Sequence, residues 1–243
     1  MPTYNSGSFA IEAVRSIQEQ TYSNWELLIS DDCSTDNTVS LLKQVAAHDP
    51  RIKFFQLPVN SGAAVVRNNS IKYATGEYLA FCDSDDRWLP FKLEKQIAFM
   101  EAGADFSFTA YELIDKTGRR LNCTVDLGQR DFVFSYSDML RKKATLGCST
   151  VILNRRSFTD FMMPLLRTGQ DYALWLKLLK TGANAHLLPE VLVQYRINPN
   201  SISRNKIRKA KRQWQIYREI EGLPLFTSLI CFLYYAWRAV FRK

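Results

Sequence analysis

Two short apolar runs in the first third of the chain each stop at a cluster of aspartates. Residues 25–29 lead to Asp31 and Asp32, and residues 78–82 lead to the cluster Asp83-Ser84-Asp85-Asp86. Segments of helical periodicity separate these runs, and the alternation predicts an α/β fold with a mostly parallel central sheet. Because ligands of open parallel sheets bind beyond the carboxyl ends of the strands, both acidic clusters fall where a binding site is expected.

The other segments extend this pattern as far as about residue 203, where the chain changes character. We therefore expect one α/β domain over 1–203 and a helical tail over 204–243. The predicted elements are helices over 63–73, 91–102 and 172–180 and strands over 52–57, 106–113 and 151–154.

The net charge of +8 is confined to the tail. Residues 1–203 carry 22 basic and 22 acidic side chains, whereas residues 204–243 carry ten basic and two acidic ones. A nucleic-acid binder would carry its basic residues in the folded domain, so the distribution argues against nucleic acid as a partner. Five scattered cysteines and two histidines show no zinc-ligand spacing, and reduced thiols indicate a cytoplasmic protein.

Asp83 and Asp85 are the clearest chemical signal in the sequence. In an extended segment residues i and i+2 point to the same side, so the two carboxylates can share one target. Mg²⁺ and Mn²⁺ take oxygen ligands and commonly bridge one or two carboxylates to substrate phosphates. The alternative is a solvated acidic turn, since aspartate is common in turns. The position at a strand end favours the metal site.

Asp31 and Asp32 have no evident structural role in the sequence, so we expect them to accept hydrogen bonds from a base or a ribose. The alternative is helix capping, which one of Ser34, Thr35 and Asp36 is expected to provide.

Arg67 and Asp171 are weaker candidates when taken alone. The guanidinium of Arg67 suits phosphate oxygens, but the residue can equally be an ordinary helix-surface arginine. Asp171 precedes an apolar helix, where a first-turn acid that complements the helix dipole is the simpler interpretation.

Taken together, these motifs occur in the order, and near the spacing, of a known family. The chain resembles the family 2 glycosyltransferases of the GT-A fold over nearly its whole length, and in particular those of bacterial teichuronic-acid and other surface-polysaccharide synthesis. The resemblance rests on Pro2-Thr3-Tyr4-Asn5, Asp31-Asp32-Cys33-Ser34-Thr35-Asp36, Asn60-Ser61-Gly62 with Arg67-Asn68, Asp83-Ser84-Asp85-Asp86, Gln170-Asp171, and Tyr195-Arg196 followed by Ser201-Ile202-Ser203.

The resemblance implies an inverting, metal-dependent enzyme that moves a sugar from a nucleotide sugar, with UDP the expected nucleotide, to an acceptor hydroxyl. The implied acceptor is a lipid-linked or oligosaccharide glycan. The implied roles are nucleotide-sugar binding for Thr3, Tyr4, Asp31, Asp32, Arg67 and Asp83, coordination of Mn²⁺ or Mg²⁺ for Asp85 with Asp83, and general-base catalysis for Asp171.

Three positions depart from the family pattern. Gln170 stands where many members carry glutamate, and Asn198 stands where a histidine often follows the Tyr-Arg pair. The chain also starts at Met1-Pro2, whereas in relatives an apolar strand central to the sheet precedes these residues. We therefore expect that this first strand, of about five residues, belongs to the natural protein, and that an empty sheet position lowers stability.

The tail combines a basic segment with an amphipathic one. Residues 204–218 contain seven Lys or Arg and no acid, and Phe226, Ile230, Leu233, Trp237 and Val240 fall on one helical stripe. The apolar run is too short to span a membrane and contains Arg238. An interfacial helix on the inner face of the cell membrane is the favoured interpretation, and packing on the catalytic domain is the alternative.

Two other functions fit less well. A nucleotidyltransferase would show a Gly-rich basic phosphate loop near the first strand, and a degenerate scaffold would have lost Asp85 or Asp171.

Overall fold

The computed structural model describes residues 1–197 and 206–241. The strands are β1 (Pro2–Thr3), β2 (Leu27–Asp31), β3 (Ile52–Gln56), β4 (Tyr78–Ala80), β5 (Arg87–Trp88), β6 (Phe106–Ile114), β7 (Arg120–Val125), β8 (Val133–Phe134), β9 (Ile152–Asn154) and β10 (Ala185–Arg196). The helices are α1 (Gly7–Gln18), α2 (Thr38–His48), α3 (Ala63–Tyr73), α4 (Lys92–Glu101), α5 (Tyr136–Leu140), α6 (Gln170–Leu179), α7 (Lys206–Gln215) and α8 (Leu225–Phe241).

A three-stranded parallel sheet, in the order β1-β2-β3, forms the first layer of the structure. Every residue of β2 is buried, as an apolar strand covered on both faces requires. α3 packs against β1 and β2, and α2 packs against β3. α1 packs against α2 and against β5 of the second sheet. The parallel βα pattern and the helix over 63–73 are both confirmed.

A second, seven-stranded sheet has the order β4-β9-β6-β10-β5, with β7 on β6 and β8 on β10. Its central pair, β6 and β10, is parallel, and the other pairings are antiparallel. The parallel character predicted from the sequence therefore describes the first sheet and the centre of the second. The apolar core on this sheet includes Trp175 of α6, whose ring meets Phe81 and Phe106 at centroid distances of 5.2 and 5.5 Å.

The two sheets flank a cavity of about 550 Å³. Leu27 and Leu28 line it from β2, and Tyr78 and Leu79 line it from β4. The amino group of Met1 donates a hydrogen bond to the carbonyl of Leu28 at 2.7 Å, so the backbone of β1 points back into this space. Met1 and Pro2 line the cavity as well.

The C-terminal helices pack on the second sheet's layer through one face only. Tyr217, in a π-helical turn at Ile216–Ile220, is buried and its hydroxyl donates to the carbonyl of Leu140 at 2.6 Å. Cys231 of α8 is buried as well. Within residues 1–197 and 206–241, no helix is long and apolar enough to cross a membrane. The expected domain boundary at 203/204, Asn198 and the Ser201-Ile202-Ser203 motif lie outside the described residues.

We expect that a short apolar strand added before Met1 stabilises the protein. Such a segment can pair with β2 on one side and β4 on the other, and its side chains would fill the cavity. Burial of a few branched side chains should raise the melting temperature by about 5 °C. Thermal unfolding of a variant with five added Val and Ile residues, compared with one carrying five added Gly and Ser residues, measures this. Equal melting temperatures for the two variants would contradict the prediction.

Candidate active site

The loop after β2 is held together by the carboxylate of Asp31. Asp31 is fully buried. Its Oδ1 accepts hydrogen bonds from the hydroxyls of Thr3 at 2.9 Å and Ser34 at 2.5 Å, and its Oδ2 accepts the backbone N–H of Ser34 at 2.8 Å. The expectation that Asp31 has no structural role is therefore wrong, because this carboxylate joins β1 to the loop that follows β2.

Asp32 ties the same loop to the start of α3. Its Oδ1 accepts the backbone N–H of Ser61 at 2.6 Å, and its Oδ2 accepts the N–H of Gly62 at 2.8 Å. Gly62 has φ +88°, a conformation that favours glycine and that turns the chain into the helix. Asp32 therefore also has a structural role, which the sequence analysis missed. Among the three candidate caps of α2, Asp36 accepts a backbone N–H, that of Thr38 at 2.9 Å.

The acidic cluster after β4 forms a turn, closed by a hydrogen bond of 3.2 Å from the N–H of Asp86 to the carbonyl of Asp83. We call residues 83–86 the acidic turn. The assumption that Asp83 and Asp85 alternate in an extended segment is therefore wrong. The two residues lie in the same turn, and the charge of Asp83 raises the pKa of Asp85, as expected for neighbouring carboxylates.

Arg67 of α3 reaches the acidic turn from the side of the first sheet. Its Nη2 forms an ion pair with Oδ1 of Asp83, and the side chain of Arg67 is only 10% exposed. The Nε and Nη1 groups of Arg67 are buried, and within the described part of the chain they have no hydrogen-bond partner. Arg67 is therefore not an ordinary surface arginine, and it retains donors for a further acceptor.

Burial and the neighbouring charge of Asp83 raise the pKa of Asp85 to about 6. Burial, followed by the charges of Asp85 and Asp83, also raises the pKa of Asp86 well above its ordinary value. Three carboxylates on one turn carry more negative charge than their cationic neighbours offset, and a bound cation would relieve this excess. No group of three or more acidic, His or Cys side chains in the described ranges is arranged as a metal cage. A pair of carboxylates suits a cation that also binds substrate phosphates.

Asp171 lies in the first turn of α6 and is partly exposed. Its charge acts on both Arg67 and Cys148, which places it on the same side of the site as the acidic turn. The preceding Gln170 is buried, and its Oε1 has no partner among residues 1–197 and 206–241. The structure thus brings Arg67, Asp83, Asp85 and Asp171 together.

Thr3 and Tyr4 lie farther along the same edge of the fold. Thr3 is buried and bonded to Asp31, whereas the ring of Tyr4 is 49% exposed at the rim. Ser149 and Glu12 belong to the site as well. Ser149 is hydrogen-bonded to Asp83 and Asp86 of the acidic turn. Glu12 accepts a hydrogen bond from Arg196, which in turn binds the carbonyl of Asp85. No motif marks Ser149 or Glu12 in the sequence, since their role depends on tertiary contacts.

Comparison with known proteins agrees with this site. The family model described as Glycosyl transferase family 2 matches residues 1–161. A Bacillus subtilis protein, TuaG, designated a teichuronic acid biosynthesis glycosyltransferase, is 43% identical over 243 residues, which cover all of this chain and 95% of TuaG. The Escherichia coli protein WfgD, named a UDP-Glc:alpha-D-GlcNAc-diphosphoundecaprenol beta-1,3-glucosyltransferase, is 37% identical over 93% of this chain and 86% of its own length.

Solved structures show the same fold. TarS of S. aureus (residues 1–349), in complex with UDP-GlcNAc, has a TM-score of 0.74 and 20% identity, covering 99% of this chain and 71% of that one. The mannosyltransferase PcManGT of Pyrobaculum calidifontis, in complex with GDP-Man and Mn²⁺, has a TM-score of 0.69 and 18% identity, covering 99% and 68%. The fold is thus GT-A, and the chain belongs to glycosyltransferase family 2.

Proposed function

We propose that the protein is an inverting glycosyltransferase that uses a UDP-sugar and a lipid-linked glycan acceptor in bacterial cell-surface polysaccharide synthesis. The observation that carries this proposal is the acidic turn, where Asp83 pairs with the buried Arg67 and acts on Asp85. The charge of Asp171 acts on the same Arg67. The UDP-GlcNAc bound to TarS and the donor and acceptor in the name of WfgD support the UDP-sugar and the lipid-linked acceptor. The Mn²⁺ bound to PcManGT supports a divalent cation.

The donor nucleotide would lie along the edge formed by Thr3, Tyr4, Asp31 and Asp32. Asp31 already accepts three hydrogen bonds and Asp32 accepts two at its carboxylate. A carboxylate has about four lone-pair sites, so both retain some capacity for a base or ribose group. Their larger contribution would be to fix the loop against which the nucleotide packs.

The diphosphate and the sugar would lie between Arg67 and the acidic turn. The free N–H groups of Arg67 suit phosphate oxygens, and Asp83 holds its guanidinium in place. A divalent cation, Mn²⁺ or Mg²⁺, held by Asp85 and Asp83 would supply positive charge beside the departing diphosphate. Asp171 would remove the proton from the acceptor hydroxyl as its oxygen attacks the anomeric carbon. One such displacement inverts the anomeric configuration.

Release of nucleoside diphosphate from a panel of nucleotide sugars tests this function, with membrane extract as the acceptor source. We expect turnover with one donor in Mn²⁺ or Mg²⁺ and none in EDTA. Asp85→Ala and Asp171→Asn should each lower kcat at least about 100-fold, since a positioned base contributes roughly 10²–10⁴-fold. Asp131→Asn, a change at an exposed aspartate away from the site, is the control. Full activity in EDTA, or in Asp171→Asn, would contradict the proposed mechanism.

The metal role of Asp85 has a second test that needs no substrate. Folding raises the pKa of Asp85 to about 6, so the folded protein favours the protonated form of this carboxyl. Above pH 6 the ionised Asp85 therefore lowers the free energy of unfolding of the metal-free protein. Asp85→Asn should therefore be about 1 kcal/mol more stable than wild type at pH 8. The difference should vanish below about pH 3, where Asp85 is protonated in both folded and unfolded states.

Differential scanning fluorimetry with and without Mn²⁺ measures both effects. Mn²⁺ should raise the melting temperature of wild type and of Asp131→Asn but not of Asp85→Asn. An equal Mn²⁺ shift in all three proteins would remove Asp85 from the proposed metal site.

We further propose that α7 and α8 bind the protein to the inner face of the cell membrane. Phe226, Ile230, Leu233 and Trp237 lie on one face of α8, and between 36% and 75% of each is exposed. The opposite face, with Ser228 and Cys231, is buried against the protein. Arg208, Lys209 and Lys211 are exposed on α7. An apolar helix face beside exposed cations is the arrangement of an interfacial helix at an anionic bilayer.

Vesicle sedimentation tests the membrane proposal. Simultaneous replacement of Phe226, Leu233 and Trp237 by serine should weaken binding to phosphatidylglycerol-containing vesicles at least about 10-fold, because each large apolar side chain contributes roughly 1.5–3 kcal/mol when buried. The control replaces Val59 and Leu165, which are 61% and 74% exposed outside α8. Unchanged sedimentation of the triple variant would count against the proposal.

A further inference from the structure

Arg196, the last residue of β10, is a buried cation whose contacts converge on the acidic turn. Its side chain is 1% exposed. The guanidinium Nε donates to the main-chain carbonyl of Asp85 at 2.8 Å, and Nη2 donates to Oε2 of Glu12 at 2.6 Å. Nη1 donates to the carbonyls of Asp115 and Lys116 at 3.3 and 3.1 Å. Four acceptors from three separate segments thus fix the orientation of the guanidinium plane.

The backbone of Arg196 holds the same turn from a second direction. Its N–H donates to Oδ1 of Asp86 at 3.0 Å, and Oδ2 of Asp86 accepts the hydroxyl of Ser149 at 2.5 Å. The Ser149 oxygen in turn accepts the backbone N–H of Asp83 at 3.0 Å. Asp86 therefore connects Arg196 to the backbone of Asp83, while the Arg196 side chain holds the carbonyl of Asp85.

We infer that Arg196 is the positioning residue of the metal-binding turn, which it holds in the conformation that directs Asp83 and Asp85 at one cation. This inference rests on the proposed metal role of these two aspartates. The side chain of Arg196 binds the main-chain carbonyl of Asp85, so a positioning effect on the cation would pass through the main chain of the turn. The segment from Asp83 to Asp86 belongs to no helix or strand, and these outside contacts add to the single hydrogen bond that closes the turn.

A charge effect and a positioning effect of Arg196 have opposite signs. Arg196 is a cation beside the proposed cation site, so its removal would strengthen Mn²⁺ binding if only its charge mattered. If Arg196 positions the turn, its removal weakens Mn²⁺ binding, because the two carboxylates no longer converge. The direction of the change therefore identifies the role.

Arg87 provides a matched control. It forms an ion pair with the same carboxylate oxygen of Glu12 as Arg196 does. Arg87→Gln removes a positive charge and a Glu12 partner from the same region but leaves the bond to the Asp85 carbonyl in place. Glu12→Gln removes the shared negative charge at a partly exposed position, so this variant should fold even if Arg196→Gln does not.

Direct titration of Mn²⁺, followed by electron paramagnetic resonance of the free ion, tests the inference with the full chain, both alone and with UDP. We expect Arg196→Gln to weaken Mn²⁺ binding at least about 10-fold, Arg196→Lys and Glu12→Gln to weaken it less, and Arg87→Gln to leave it unchanged or slightly tighter. Circular dichroism and the melting temperature establish that each variant is folded.

Each of four outcomes would overturn the inference. Tighter or unchanged Mn²⁺ binding in folded Arg196→Gln would show that the residue acts by charge or not at all. If Arg196→Gln does not fold, undiminished binding in both Arg196→Lys and Glu12→Gln would do the same. Absence of Mn²⁺ binding by wild type, with or without UDP, would reject the proposed metal site itself and the inference with it. Wild-type binding that Asp85→Asn abolishes, but that the Arg196 variants retain, would reject the inference alone.

Discussion

Two buried guanidinium groups hold the acidic turn from opposite sides, and the geometry of the site depends on them. Arg67 pairs with the carboxylate of Asp83, and Arg196 binds the carbonyl of Asp85. Both arginines lie on regular elements, α3 and β10, so the irregular turn takes its position from rigid structure. A buried charge is costly unless it is paired and hydrogen-bonded. Arg67 is paired with Asp83 of the turn, whereas Arg196 is paired with Glu12 and binds the turn through a main-chain carbonyl.

The acidic turn also places several carboxylates close together in a largely buried position, where their negative charges destabilise the folded state. Asp83, Asp85 and Asp86 share one turn, and burial raises the pKa of both Asp85 and Asp86. The carboxylate of Asp86 accepts hydrogen bonds from Ser149 and from the backbone of Arg196. The carboxylate of Asp85 is ionised at neutral pH, and without a bound cation fewer interactions offset its charge. A structure selected only for stability would not place these groups together, and such conflicts are typical of functional sites.

The sequence predicted the elements whose patterns are local. α3 follows a turn signal and ends before Gly76, and the runs before the two acidic clusters are strands because they are short, apolar and buried. β10 was not predicted, although it pairs with β6 at the centre of the second sheet. Pro189 and Glu190 interrupt its apolar alternation, and the register shifts between Leu188 and Val191. Only the pairing with β6 reveals this strand.

The sequence indicated candidate residues for the site but not the hydrogen bonds that hold them in place. The strand-end rule placed Asp31, Asp32, Asp83 and Asp85 at or just after the ends of β2 and β4, and the structure has them there. It could not show that Asp31 bonds to Thr3 and Asp32 to Gly62, because these partners lie 28 and 30 residues away in the sequence. The contacts of Ser149 and Glu12 likewise span long sequence separations, and local patterns carry no information about them.

The cavity lies between the two sheets, and each sheet carries one half of the candidate site. The loop with Asp31 and Asp32 belongs to the first sheet and the acidic turn to the second, and no strand pairing joins the two sheets in the part of the chain described here. Arg67 and Asp83 cross this division as a side-chain ion pair. Side-chain contacts deform more readily than a ladder of backbone hydrogen bonds. The separation between the two halves of the site is therefore set by packing rather than by strand register, so whatever fills the cavity also sets the length of ligand that both halves can reach.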